Sequence, residues 1–225
     1  LVCEALGIDV MQAIGASNRS PRTRILTPGA GVGGSCLSKD PWMLIALARK
    51  KQIEPGIAKL ARIRNQRMPY HAVQLAKSGL RDSGRSIRGC SVALLGVAFK
   101  RDTDDTRNTV AASVTRSLRE MGANVLAYDP LVPRNKIASS LGDVKIAESM
   151  FKAVEQSECI MILTDHQEFK KLNDERWLAT LREKKVFVDG RHVLHPGKII
   201  GCGHIFRGIG RTKELLKELP VCLFE

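Results

Sequence analysis

One cysteine in this 225-residue sequence stands where a nucleophile would stand. Cys36 closes the run Pro28-Gly29-Ala30-Gly31-Val32-Gly33-Gly34-Ser35-Cys36, a backbone bare enough to approach a phosphate or a sugar closely. Leu37-Ser38-Lys39-Asp40-Pro41 follow; Ser38 and Asp40 are helix-capping types and Pro41 suits a first helical turn. A helix starting there places Cys36 near the positive end of its dipole, with Lys39 beside it, which favours thiolate over thiol. The same residues equally fit a plainer arrangement, a small residue in a tight turn with Asp40 as a mere N-cap. Gly29, Gly31 and Gly34 satisfy G-x-G-x-x-G, but Pro28 precedes them and no convincing strand does, so a dinucleotide fingerprint is not expected here.

The elements that must position this loop fall into two blocks. Apolar spacing predicts a short helix ending at Gly7, a second from Asp9 to Ala16, and helices over Pro41–Lys51 and about Pro55–Lys77. Residues 1–80 therefore read as a helical segment interrupted by one glycine loop. From 81 to 225 the pattern alternates: a strand within Cys90–Phe99, a helix near Thr109–Met121, and a strand over Asn124–Tyr128. A helix near Glu148–Gln156, a strand over Cys159–Leu163, a helix over Asp174–Arg182, and strands at Val186–Val188 and His204–Arg207 complete it. The fold class is α/β, a Rossmann-like parallel sheet domain preceded by a helical segment.

Ligands of such sheets sit outside the carboxyl ends of the strands. Polar residues concentrate there: Lys100 to Arg107 after the first strand, Asp129-Pro130 after the second, Thr164-Asp165-His166 after the third and Asp189-Gly190-Arg191 after the fourth. That edge is a candidate anion site. Taken alone, Lys100 and Arg107 also fit a solvated basic loop balanced by Asp102, Asp104 and Asp105, and Arg191 fits a strand-end cap. His166 fits a surface histidine, Trp42 and Phe99 fit a core or a pocket wall, and Asp129 fits a remnant of the fold's ribose-binding acid.

Composition narrows the classes. Lys plus Arg exceed Asp plus Glu by 36 − 23 = 13, an excess that attracts polyanions of any kind. Aromatic residues make up 4%, which argues against a nucleic-acid binder built on stacked bases. No apolar run approaches the about 18–20 residues that cross a bilayer, so a membrane is not an expected partner. Cys3, Cys36, Cys90, Cys159, Cys202 and Cys222 form no CxxC pair and no zinc spacing, so no metal site and a reducing, cytoplasmic setting are expected.

With those residues in view, the run from Pro28 through Cys36 to Lys39-Asp40 resembles the signature loop of the UDP-glucose/GDP-mannose dehydrogenase family. Gly96-Val97-Ala98-Phe99-Lys100 through Asp102-Thr103-Asp104-Asp105-Thr106-Arg107 resembles that family's segment gripping the sugar nucleotide, and Asp189-Gly190-Arg191 is similar to its late arginine site. Within the family, Asn18-Arg19-Ser20-Pro21-Arg22, Ile25 to Gly29, Asp40-Pro41-Trp42 and Asn65 with Met68-Pro69 resemble the UDP-N-acetylmannosamine branch. Ser35 and Lys39 depart from that branch and match UDP-glucose and GDP-mannose oxidisers.

The resemblance implies oxidation of a sugar C6 alcohol to a carboxylate with two NAD molecules in sequence. It implies Cys36 as nucleophile and Asp40 as the residue acting on the hydrolytic water. Substrate would meet Thr27, Gly29, Gly31, Gly33, Phe99, Lys100 and Arg191, with Arg22 reaching a neighbouring subunit's site in a homodimer or larger homo-oligomer. Lys39 and Arg107 would face NAD. It further implies that this chain is a carboxyl-terminal part without the NAD-binding domain, expected not to turn over alone; a truncated module that binds a UDP-sugar or dimerises is the alternative.

Overall fold

A computed structural model describes residues 1–211. The second half of the chain builds one sheet in which each strand pairs parallel with its neighbours. Its strands are β1 (Ser91–Leu95), β2 (Asn124–Tyr128), β3 (Lys145–Ile146), β4 (Cys159–Ile162), β5 (Val186–Asp189) and β6 (Ile205–Gly208), in the order β3-β2-β1-β4-β5-β6. This is the doubly wound arrangement, with its switch of direction between β1 and β4. Alternate residues serve opposite faces. Val92 and Leu94 join a core with Ala72, Val73, Ala76 and Leu80, whereas Ala93 and Leu95 join one with Met150, Phe169 and Ile199. Burial on both faces is why these strands read as continuous apolar runs.

The helices are α1 (Val2–Leu6), α2 (Val10–Ser17), α3 (Asp40–Lys50), α4 (Gly56–Asp82), α5 (Val110–Glu120), α6 (Arg134–Leu141), α7 (Met150–Glu155), α8 (Glu175–Leu178) and α9 (Pro196–Gly201). A 3-10 helix occupies Gln167–Asn173. The alternation was legible, but α6, β3, the 3-10 helix and α9 were not: each is short, and β3 has two residues. The helix expected over Asp174–Arg182 ends at Leu178. The apolar run beginning at Cys90 is strand only to Leu95, because Gly96 turns the chain at φ 93°. The expected strand at His204–Arg207 is present one residue later, as β6.

The long helix α4 joins the two halves. Its carboxyl half buries Ala72, Val73, Ala76 and Leu80 completely against the sheet. The first helix is anchored at the far end of the fold, where Glu4 accepts from His71 of α4 and from the Gly210 N–H. Asp9 caps α2 through the Met11 N–H and pairs with Arg211 at 3.1 Å.

Candidate active site

The glycine loop runs across the carboxyl edge of the sheet and is fastened at several points. The Ala30 N–H donates to the Gly190 carbonyl at 3.2 Å, the Gly34 N–H to the Arg107 carbonyl at 3.0 Å, and the Asn108 side chain to the Gly34 carbonyl at 3.2 Å. Asn65 of α4 clamps Val32 in both senses, accepting its N–H at 2.8 Å and donating to its carbonyl at 3.2 Å. Pro69, inside α4, has no N–H to offer the Asn65 main-chain carbonyl four residues back, so that carbonyl lacks its helical partner.

Space forces the glycines. A Cβ on Gly33 would lie 2.5 Å from the Asn108 carbonyl oxygen, one on Gly34 2.8 Å from the Phe99 ring, and one on Gly29 2.9 Å from an Arg191 Nη. Phe99, Asn108 and Arg191 therefore touch the loop because it carries no side chains there. No strand precedes Gly29, consistent with the expectation that G-x-G-x-x-G is not a dinucleotide fingerprint here.

Cys36 is exposed, its Sγ 3.6 Å from the Ser35 hydroxyl. The expected capping by Ser38 and Asp40 does not occur. Lys39 occupies the N-cap position without a side-chain cap, and Asp40 is the first residue of α3. The Ser38 hydroxyl turns back to the Gly34 carbonyl. Main chain does the capping work: the N–H groups of Lys39 and Asp40 donate to the Cys36 carbonyl at 3.0 and 2.8 Å, so no side-chain acceptor is required. The Lys39 ammonium lies 3.0 Å from Asp40 Oδ1 and 3.4 Å from Met43 Sδ. The Arg107 guanidinium is gripped by Asp105 at 2.6 Å, which holds the Asp105 carboxyl below the usual carboxylate range.

Asp129 and His166 support the segment carrying Phe99 and Lys100. Asp129 Oδ2 accepts from the Val97 and Ala98 N–H groups at 2.7 and 3.0 Å, and Oδ1 from those of Leu131 and Val132 at 2.9 and 3.0 Å. His166 Nδ1 accepts from the Asp102 N–H at 3.1 Å, so the ring proton sits on Nε2 and is donated to Asp129 at 3.2 Å. The surface reading of His166 is thus corrected: it is 1% exposed, drawn in by the only acid at the end of β2. Asp129 has no lone pair left for a ribose. The Thr164 hydroxyl closes the switch point by donating to the Ala98 carbonyl at 2.6 Å.

Arg191 is pinned by Asp165 through Nε at 3.2 Å and Nη2 at 3.0 Å. Lys100 is exposed; its carbonyl accepts from the Thr103 hydroxyl at 3.1 Å, and its ammonium has no partner among the described residues. Thr27 is exposed. Arg22 is set apart from this cluster, on the exposed loop whose base is held by the Asn18 side chain bonded both ways to the Ile25 backbone. Among the described residues no group of three or more His, Cys, Asp or Glu is placed to hold a metal. Asn108, Asp165 and the clamp of Asn65 are roles sequence reasoning did not assign.

This arrangement, a glycine loop with an exposed thiol laid over Phe99, Asn108 and Arg191, has close relatives. The sequence profile of the UDP-glucose/GDP-mannose dehydrogenase family central domain matches residues 1–67, and that of its UDP binding domain residues 93–196. A UDP-N-acetyl-D-mannosamine dehydrogenase of Pyrococcus horikoshii is 37% identical over 211 residues, 94% of this chain and 46% of the relative. The chain belongs to the UDP-glucose/GDP-mannose dehydrogenase family. The solved UDP-D-ManNAc dehydrogenase of Pyrococcus horikoshii superposes with TM-score 0.79 at 37% identity, covering 93% of this chain and 46% of that one. An NDP-N-acetyl-D-galactosaminuronic acid dehydrogenase of Methanosarcina mazei gives 0.83 at 32% identity, with the same two coverages of 93% and 46%. The UDP-glucose 6-dehydrogenase of Bacillus subtilis is 29% identical over 93% of this chain and 45% of its own length. The chain thus spans about half the length of the relatives it matches. No helix among the described residues is long and apolar enough to cross a membrane.

Proposed function

We propose that this chain is the carboxyl-terminal part of an NAD-dependent nucleotide-sugar 6-dehydrogenase, acting on a UDP-hexose and most nearly on UDP-N-acetylmannosamine. The observation that carries the reading is the fastening of the Cys36 loop between Arg107–Asn108 on one side and Gly190–Arg191 on the other. The reading is supported by that loop lying against the segments after β1 and β5, which carry Arg107 and Arg191, at the edge where such sheets take ligands. In this reading Lys100 and Arg191 hold the anionic part of the sugar nucleotide, and Phe99 with the Thr27–Gly33 backbone, including Gly29, Gly31 and Gly33, walls the sugar. Asp165 fixes the plane of the Arg191 guanidinium, which suits paired hydrogen bonds to an anion.

The cofactor must be held mainly outside this chain, because Asp129 is consumed by backbone and no glycine fingerprint precedes it. What the chain offers are the exposed cations Lys39 and Arg107 on the rim beside Cys36, which fit a dinucleotide's diphosphate. NAD, when bound, accepts hydride from the sugar carbon. The sulfur of Cys36 adds to the C6 aldehyde to give a thiohemiacetal, whose oxidation leaves a thioester that water cleaves. Asp40 orients that water or takes its proton, four residues on from Cys36. Arg22 extends toward a second copy of the chain, making a homodimer the smallest active assembly, at work in the cytoplasm. Ser35 and Lys39 favour a second reading within the same chemistry, oxidation of UDP-glucose.

Thermal shift and calorimetric titration with UDP, GDP and UDP-N-acetylmannosamine test the reading. Uridine nucleotides should raise the Tm more than GDP does, and Lys100→Ala and Arg191→Ala should each weaken binding roughly tenfold or more, the loss of one charge-assisted hydrogen bond. Uridine binding untouched by both substitutions, or no response at millimolar ligand, would sink the assignment of this edge.

A further inference from the structure

Behind the cysteine loop, α3, α4 and α5 enclose a groove of about 890 Å³ that neither Cys36 nor Arg107 lines. Its walls carry the cations Arg62, Arg116 and Lys39, the ring of Trp42 and the amides of Asn65 and Gln66, and no carboxylate. Lys39 is already paired with Asp40. Arg62 is not paired at all: it is 8% exposed, its Nε is sealed from solvent, and no hydrogen bond or ion pair reaches it among the described residues. A buried guanidinium without a counter-charge is an expensive arrangement, and proteins keep one chiefly where an anion completes it. The planar fork of donors is suited to phosphate oxygens. Arg116, on the exposed face of α5, supplies a second positive charge to the same space.

We propose that this groove is a second anion site, which takes a phosphate-bearing small molecule on Arg62 and Arg116, separate from the edge that carries Lys100 and Arg191. The inference rests on Arg62 and Arg116; Lys39, assigned above to the cofactor, is part of the same wall but is not required. An occupant also bears on the cysteine loop, because Gly31, Val32 and Ser38 form part of the groove wall.

The test uses the whole 225-residue chain with inorganic pyrophosphate and, separately, ADP, followed by thermal shift and by Trp42 fluorescence in a Trp177→Phe background. Pyrophosphate should raise the Tm of the wild-type chain. Arg62→Met should leave the ligand-free Tm equal or higher, because it removes an unpaired buried charge, and should abolish the rise. Read in a Lys100→Ala/Arg191→Ala background, which removes the sheet-edge anion site, the rise should persist, Arg62→Met should abolish it and Arg116→Ala should weaken binding roughly tenfold. Tighter binding of ADP with quenching of Trp42 identifies a nucleotide as the natural source of the phosphate; equal binding without quenching identifies a free anion. A wild-type Tm indifferent to both probes overturns the site. So does a rise that survives Arg62→Met in the Lys100→Ala/Arg191→Ala background, or a self-associated chain that Arg62→Met dissociates, which would mean that a second copy supplies the missing carboxylate.

Discussion

Replacing Asp129 by asparagine should be among the most damaging changes of a single functional group in this chain. The carboxylate accepts four backbone N–H groups and the His166 Nε2 proton. An asparagine oxygen can keep two of those N–H groups, but its NH2 then confronts the other two. Two buried donors without acceptors lose about 1–3 kcal/mol each, so roughly 4 kcal/mol in total is expected. For a chain of this size that lowers the Tm by roughly 8–16 °C. Burial by itself would raise the Asp129 carboxyl, but His166 and the backbone donors outweigh it and hold the folded value below the ordinary 3.8. A depressed folded value means that the stabilisation is complete above 3.8 and fades as pH falls through the folded value, where the native state also takes up the proton. The wild-type advantage over Asp129→Asn, measured by urea unfolding, should therefore be full at pH 7 and shrink below pH 4. A difference under about 1 kcal/mol at pH 7, below one orphaned donor, or a gap that widens in acid, would refute the reasoning. The same variant should weaken uridine nucleotide binding, because Val97 and Ala98 lead directly to Phe99 and Lys100.

Alkylation with iodoacetamide at pH 8 should modify Cys36 well before Cys90 and Cys159; burial and then Glu158 push Cys90 up to about 12, and complete burial pushes the Cys159 thiol up as well. Peptide mass spectrometry reads the order, and early labelling of Cys159 would contradict it. Gly33→Ala should destabilise the chain by about 1–3 kcal/mol through overpacking against Asn108. It should also speed hydrogen exchange at the Gly34 N–H, and an unchanged exchange rate would show that the loop yields easily.

Much of the sheet was legible because strands buried on both faces leave unbroken apolar runs, as in Ser91–Leu95 and Cys159–Ile162, and because turn residues punctuate them. The short pieces were not: two residues of β3 carry no period, and α9 begins at Pro196 with little amphipathic signal. Site legibility followed the same rule of locality. Cys36 and its glycines stood out because spacing within ten residues suggested them. The pairings of Arg191 with Asp165 and of His166 with Asp129 depend on the sheet's order of strands, and that of Asn65 with Val32 on how α4 meets the loop; no local pattern encodes either. The capping error at Ser38 and Asp40 had a similar source, since a backbone turn can satisfy helix N–H groups that residue type alone would assign to side chains. Arg62 gave no signal in a chain with 36 lysines and arginines.

The fastenings of the cysteine loop also set its place in time. Val32 reaches 33 residues along the chain to Asn65, Asn108 reaches back 74 to Gly34, and Ala30 spans 190 − 30 = 160 residues to Gly190. Such closures carry a large entropic toll and form only after the partners are themselves in place. The loop should thus be absent from the folding transition state, with mutations there altering unfolding rates and leaving folding rates almost unchanged. Its exposed thiol would gain its setting last, which makes the environment of Cys36 a reporter of completed folding.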